Sequence, residues 1–466
     1  MPACPAHPDC SSETFDADPD IAGIGVITAF LVSAWSSLLI TSIEYSSRHA
    51  DVFNPYSGQT VPLDDLLRDY IKWITKPFKK PWDLQSIQPV VLATSDQQLV
   101  TGLAIMTTGY IQHCTITQYH FDIVACLGGI AFNVYQPALY ALDGYTNRDP
   151  RIKLWRTILM TILFGMVIPS ILILYDDDFL DTYGASTQCI WDHLISTHRS
   201  TTSDFVLSIN LTVTIWAYVD SMRYLYPTIL RRIPRISSFI LRRFGKSLGW
   251  IERKTIQHAQ RLDALRESYK DRRLATMYFK LCYRRTAYIL VSVIARLAFW
   301  VAFIPVFTFV EIARSHFIDI WRAYTVTLAW TIEVISVKQD VSSSGIMKGS
   351  ENIWGFGQIL PLLLLILPVM STWELFRETQ HSVIHGGGEH FYTCQLSDLS
   401  GHSTCQQQVI ESNRGISPNK TSYNTDIEDD ISDRMYRYKL FRIWAAFCSL
   451  GIFGGSTYAA IIGYAI

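Results

Sequence analysis

The sequence predicts an all-α fold: a polytopic helical membrane protein of about eight transmembrane helices, seven to nine, with no soluble globular domain. Three observations carry this. Of 466 residues, 49% are hydrophobic and only 17% charged, against about 25% charged in an average soluble domain. The apolar residues are bunched, with Ile21 to Ile43 running 23 residues without a charge, where a span needs about 20. The bases are bunched as well: Pro227 to Thr286 holds sixteen Lys and Arg against four Asp and Glu. Helices follow because hydrocarbon offers an open backbone no hydrogen-bond partner.

Residues 1–20 read as a short outer or lumenal arm, since they are acidic and Pro-rich and lack the basic start of a cleavable signal peptide. The first span then serves as the targeting signal. Residues 21–226 hold five spans, at Ile21–Ile43, Gln98–Thr115, Phe121–Leu142, Trp155–Tyr175 and Phe205–Tyr226. In "SDQQLVTG", Ser95 or Asp96 reads as a helix N-cap with Gln98 near the third position. The alternative puts Asp96 at a cavity mouth.

Residues 227–286 alternate bases with Phe239, Ile240, Leu241, Phe244, Leu248 and Trp250, the composition of an amphipathic cytosolic segment lying on anionic lipid. Residues 287–376 carry spans at Ala287–Val310 and Ile353–Phe376. Between them, 317–337 contains Asp319, Arg322 and Glu333 and reads as interfacial, or buried against the bundle, or spanning. Residues 377–439 form a polar loop expected to be disordered, and residues 440–466 the last span. The basic loops face the cytosol, which puts the N-terminus on the lumenal side of the endoplasmic reticulum or another endomembrane.

Cysteine usage adds a topological expectation. Cys114, Cys126 and Cys448 fall in spans and read as small apolar packing residues. Cys4, Cys10 and Cys189 fall on the lumenal side, where a bridge from Cys10 or Cys4 to Cys189 would tie the N-terminal arm over the loop after the fourth span. Metal readings are weak. The "DDFLD" run, Asp177 to Asp181, has a magnesium-binding spacing without a second motif, and His385, His390, Cys394 and Cys405 match no zinc pattern. No metal, cofactor or nucleic-acid partner is expected; the partners are membrane lipids and a lipid-soluble small molecule.

The question the sequence raises is the purpose of Asp122, just inside an apolar run. Helical spacing puts Asp122, Cys126, Gly129, Asn133 and Gln136 on one face. Thr101, Thr108, Gln112 and Thr115 do the same on the preceding span, and Asn210, Thr214, Ala217 and Ser221 on the fifth. Lipid satisfies none of these groups, so all three stripes are expected to face the bundle interior. Asp220 can pair with Arg223 three residues on. Arg296, deep in the sixth span, needs an intramembrane partner, with Asp122 and Glu374 as candidates. Asp122, Asp220, Glu374 and Arg296 are therefore the candidate catalytic set, and Asp96, Asn133 and Gln112 candidate cavity residues. Structural ion pairing that only fixes helix registry is the competing reading for each.

The stretches "DPDIAGIGV", "SDQQLVTG", "YHFDIV", "DPRIKLWR" and "WGFGQILPLLLLILP" together resemble a family of fungal polytopic membrane proteins of mostly unassigned function, over nearly all the chain outside Glu378 to Arg437. Through it the chain is similar to membrane-bound terpene cyclases that close epoxidised farnesyl chains in meroterpenoid biosynthesis. The resemblance implies an isomerase of secondary metabolism acting on an epoxidised prenyl chain. Such a reaction needs a general acid in a water-poor site and no departing diphosphate, which interior carboxylates can serve. A transporter or a receptor-like protein without enzymatic activity is the alternative. Neither an internal repeat nor a P-loop supports transport.

Overall fold

The computed structural model describes residues 14–47, 62–75, 84–141, 150–175, 183–191, 201–226, 301–312, 315–366 and 435–463, with isolated positions between 243 and 297 and at 370. Their helices are α1 Pro19–Ala22, α2 Ile24–Ser47, α3 Pro62–Thr75, α4 Leu84–Ile111, α5 Gln118–Ala141, α6 Pro150–Leu174, α7 Gln188–Trp191, α8 Thr201–Leu225, α9 Val301–Ile312, α10 His316–Ser344, α11 Phe356–Leu364 and α12 Lys439–Gly463. One exception to the all-α expectation is a two-residue parallel pairing of β1 (Phe15–Asp16) with β2 (Met347–Lys348).

Helix α5 is the axis of the bundle. Every side chain from Gln118 to Leu139 is buried, because α2, α4, α6, α8 and α10 all pack against it. Small residues let α4 come close: a Cβ on Gly128 would lie 2.3 Å from Met106 Sδ, and one on Gly102 would lie 2.4 Å from the Ala131 Cβ. Helices in lipid gain association from this close packing, since lipid is as apolar as their side chains.

Four helical stretches among the described residues are long and apolar enough to cross a membrane: Pro19–Ser46, Lys153–Leu174, Ser203–Met222 and Lys439–Tyr458. A bent pair, α9 and α10 meeting at 72°, makes up to five. The count is below the expected eight for a physical reason. Helices α4 and α5 face protein on several sides and need not be apolar throughout. The spans expected at Ala287–Val310 and Ile353–Phe376 are described as continuous helix only over α9 and α11.

The segment that was too polar to place, 317–337, lies inside a single 29-residue helix, α10. Its start is capped from another helix: Asp64 of α3 accepts from Tyr45 Oη at 3.0 Å, from Ser315 Oγ, and from the backbone N–H groups of His316 at 3.2 Å and Phe317 at 3.4 Å. Free N–H groups at a helix start attract such a carboxylate. The far end stops at Gly345 with φ +68°, a left-handed conformation suited to glycine. There Lys338 Nζ donates to the Ala22 carbonyl at 2.7 Å and pairs with Glu351, which also accepts from Tyr119 Oη at 3.0 Å. Helix α10 therefore runs beside α5 from the C-terminal end of α2 to its N-terminal end.

Two expectations are corrected. Ser95 and Asp96 cap nothing, because α4 starts at Leu84 and runs through them; Asp96 is instead held by a two-pronged contact from Arg156, Nε to Oδ1 at 3.1 Å and Nη2 to Oδ2 at 2.8 Å. Cys114 is not a packing thiol. It and Cys189 are both disulfide-bonded, on segments joined by the antiparallel pairing of Thr117 with Ser186. Cys4 and Cys10, the expected partners of Cys189, lie outside the described residues, while Cys126 and Cys448 are free thiols.

Candidate functional site

The stripe of α5 faces α10. Reading antiparallel along the two helices, Asp122 and Glu333 interact electrostatically at one end. In the middle Trp330 stands against Gly129, where a Cβ would come within 3.3 Å of the indole. At the other end Arg322 Nη2 donates to Gln136 Oε1 at 2.8 Å. Arg322 and Glu333 are eleven residues apart, close to three turns of helix, and so share one face. Both helices thus present polar groups to the same buried seam.

Within the seam Asp122 is 3% exposed, and the Cys126 thiol, one turn on, donates to its Oδ1 at 3.2 Å. Asn133 is also buried; its Nδ2 donates to the Gly129 carbonyl at 2.9 Å. Tyr183, half-buried on the loop before α7, lies near the Asp122 end of the seam. Burial, then the charges of Asp122, Asp340 and Glu333, push its phenol above the ordinary range. Near this end, burial alone would raise Glu351, but the nearby His120, the hydrogen bonds from Lys338 and Tyr119 and the lysine charge leave it below the ordinary carboxylate range. His120 lies between the arm and this carboxylate, its Nε2 3.2 Å from the Asp18 N–H and 3.7 Å from Glu351 Oε1.

The expected residues are distributed unevenly over this geometry. Asp122 and Asn133 lie in the seam. Asp220 is half-buried on α8, away from the Asp122 end of α5 in chain position, and Asp96 is engaged by Arg156. Gln112 is exposed at the end of α4. Most of the α4 stripe turns outward, with Thr108 and Thr115 exposed and Thr101 half-buried. Thr101 and Thr108 donate to the carbonyls of Gln97 and Ala104, one turn back, at 2.8 and 3.0 Å. A threonine satisfied by its own helix does not need the interior. The α8 stripe does point inward, with Thr214, Ala217 and Ser221 buried. Arg296 and Glu374 lie outside the described residues, as do the Asp177 to Asp181 run and the His and Cys residues from His385 to Cys405.

Glu333, Trp330 and Arg322 were missed as site residues because α10 was read for whether it crosses, not for what it faces. A partial signal was present: Arg322 and Glu333, eleven residues apart, fall on one helical face with Val326 and Val337, over a length close to that of the α5 stripe. Among the described residues no group of three or more His, Cys, Asp or Glu is arranged to hold a metal ion.

No family model matches the chain, and no solved structure matches it. The chain is similar to the "Elsinochromes biosynthesis cluster protein HP3" of Elsinoe fawcettii, 31% identical over 119 residues, 25% of this chain and 44% of that protein. The chain thus spans under half the length of a protein encoded in a fungal secondary-metabolite cluster.

Proposed function

We propose that the protein is an integral membrane enzyme of fungal secondary metabolism, a terpene cyclase that opens an epoxide on a prenyl chain and closes a ring. The observation that carries this reading is the charge interaction between Asp122, buried on α5, and Glu333, half-buried on the facing helix α10. Two such groups out of water share a proton, and a shared proton is what a general acid needs. Asp122 gives it to the epoxide oxygen; the C–O bond breaks as an alkene electron pair forms the new C–C bond. The resulting cation loses a C–H proton to a carboxylate, so the net change is an isomerisation. Trp330 offers an aromatic face to the intermediate cation, and the buried seam keeps water from intercepting it. The cluster membership of the similar protein supports the metabolic setting.

The test is product formation in microsomes supplied with an epoxidised farnesyl substrate, with membrane abundance measured alongside. Asp122→Asn keeps the shape and removes the acid, so turnover is expected to fall about 100-fold to 10,000-fold at near-normal abundance. Glu333→Gln is expected to shift the pH profile of turnover with a smaller loss. Full product formation in both variants would sink the mechanism. A second reading, proton-coupled transport, is favoured by one observation: the seam continues past Trp330 to Arg322 and Gln136. Substrate accumulation in reconstituted vesicles without chemical change would select it.

A further inference from the structure

The far end of the seam holds donors that the proton transfer at Asp122 does not use. Gln136 is fully buried. Its Oε1 accepts from Arg322, which fixes the amide so that Nε2 is a donor, and Nε2 has no partner. Arg322 is largely buried as well, and its Nε and Nη1 also have no partner. The nearest opposite charge is Asp319, one turn earlier, 3.9 Å from Nη2. That contact leaves the rest of the guanidinium unmatched.

All three unmatched nitrogens are donors. Nε and Nη1 lie on different edges of the planar guanidinium, so a group that meets one edge together with Gln136 Nε2 should offer several lone pairs and negative charge, as an oxyanion does. A hydroxyl or ketone would satisfy fewer donors and leave a desolvated cation with a weak counter-charge. The position restricts the source of the anion. Arg322 and Gln136 lie between two packed helices of the bundle, so a ligand arriving through lipid reaches them more readily than an aqueous ion. Asp319 disfavours a second negative charge and so favours a monoanion. We infer that Arg322 and Gln136 bind the carboxylate head of a lipid-soluble acid, a site at the opposite end of the seam from Asp122. This site stands whether or not Asp122 is a proton donor.

Thermal unfolding of the purified full-length protein in detergent, with defined probes, tests it. Palmitate is expected to raise the unfolding midpoint in a saturable, dose-dependent way, and hexadecanol and acetate are not. Gln136→Leu, similar in volume but without the amide, should weaken palmitate binding about tenfold. Arg322→Lys should do the same, because lysine keeps the charge and loses the planar fork. Asp122→Asn should bind palmitate like the parent, which separates this site from the catalytic reading. Equal stabilisation by hexadecanol would overturn the proposal. So would stabilisation by acetate alone, preference for hexadecyl phosphate over palmitate, or undiminished palmitate binding in both variants. If the variants fail to accumulate, the probe series on the unaltered protein decides.

Discussion

Glu351 shows how one side chain joins several segments. It collects Tyr119, Lys338 and His120 at the end of the bundle where α5 begins, and these contacts hold its pKa below the ordinary carboxylate value. A depressed folded pKa stabilises the fold at pH values above the unfolded pKa, about 4.3 for Glu. That stability is lost as the pH falls through the lower folded value. The unfolding midpoint is therefore expected to drop in acid below that point. Glu351→Gln should unfold more easily than the parent at pH 7, and the gap should narrow as the pH is lowered; a gap constant from pH 7 to 3 would refute the assignment. Gly129 makes a second residue-scale point. With Trp330 3.3 Å from where its Cβ would be, Gly129→Val forces the indole or the helix to move. Loss of turnover with retained membrane insertion is expected, and a fully active Gly129→Val would argue against close packing there.

Among the elements, α10 depends on a cap that its own sequence lacks. Ser315 makes no side-chain cap bond to the first turn; Asp64, some 250 residues earlier, supplies the acceptor. Its loss leaves several N–H and O–H donors unmatched in a buried place. Asp64→Ala is expected to cost about 2 kcal/mol, at the upper end for a lost cap, and to fray the start of α10. Asp64→Asn should recover part of it. Amide exchange at His316 and Phe317 measures the effect directly, and unchanged protection in Asp64→Ala would exclude the capping role. Helix α3, which carries Asp64, was not anticipated. Its apolar residues Leu63, Leu66 and Leu67 pack with Phe307 and Phe441 in a second core, so its orientation is set by partners distant in the chain.

Over the whole molecule, one end collects the arm, the Thr117–Ser186 pairing, β2 and the two oxidised cysteines. Disulfides persist in oxidising compartments and basic segments favour the cytosol, so this end is expected to be lumenal and 227–286 cytosolic. We predict that an epitope tag on the N-terminus is protected from protease in sealed microsomes, and that a tag within 227–286 is digested. The reverse pattern would invert the bundle and place Tyr183 and Glu351 at its cytosolic mouth.

Composition and apolar run length were enough to anticipate a mostly helical chain with segments able to cross a membrane, because the requirement to satisfy backbone groups in lipid acts on each segment alone. Helical period was enough to place Asp122, Cys126, Gly129, Asn133 and Gln136 on one buried face, because side-chain direction follows from local geometry. The facing partner was not legible. Glu333 is 211 positions from Asp122, and its own helix is polar enough to read as interfacial, as buried against the bundle or as spanning, which left its facing partner open. The α4 threonines erred the other way: their hydroxyls bond within their own turn, so a polar stripe there demanded no interior. Which polar faces meet, which carboxylate confronts Asp122, and which acid caps α10 are pairings between remote segments. They follow from packing, where a polar group is stabilised by whatever the neighbouring helix presents to it.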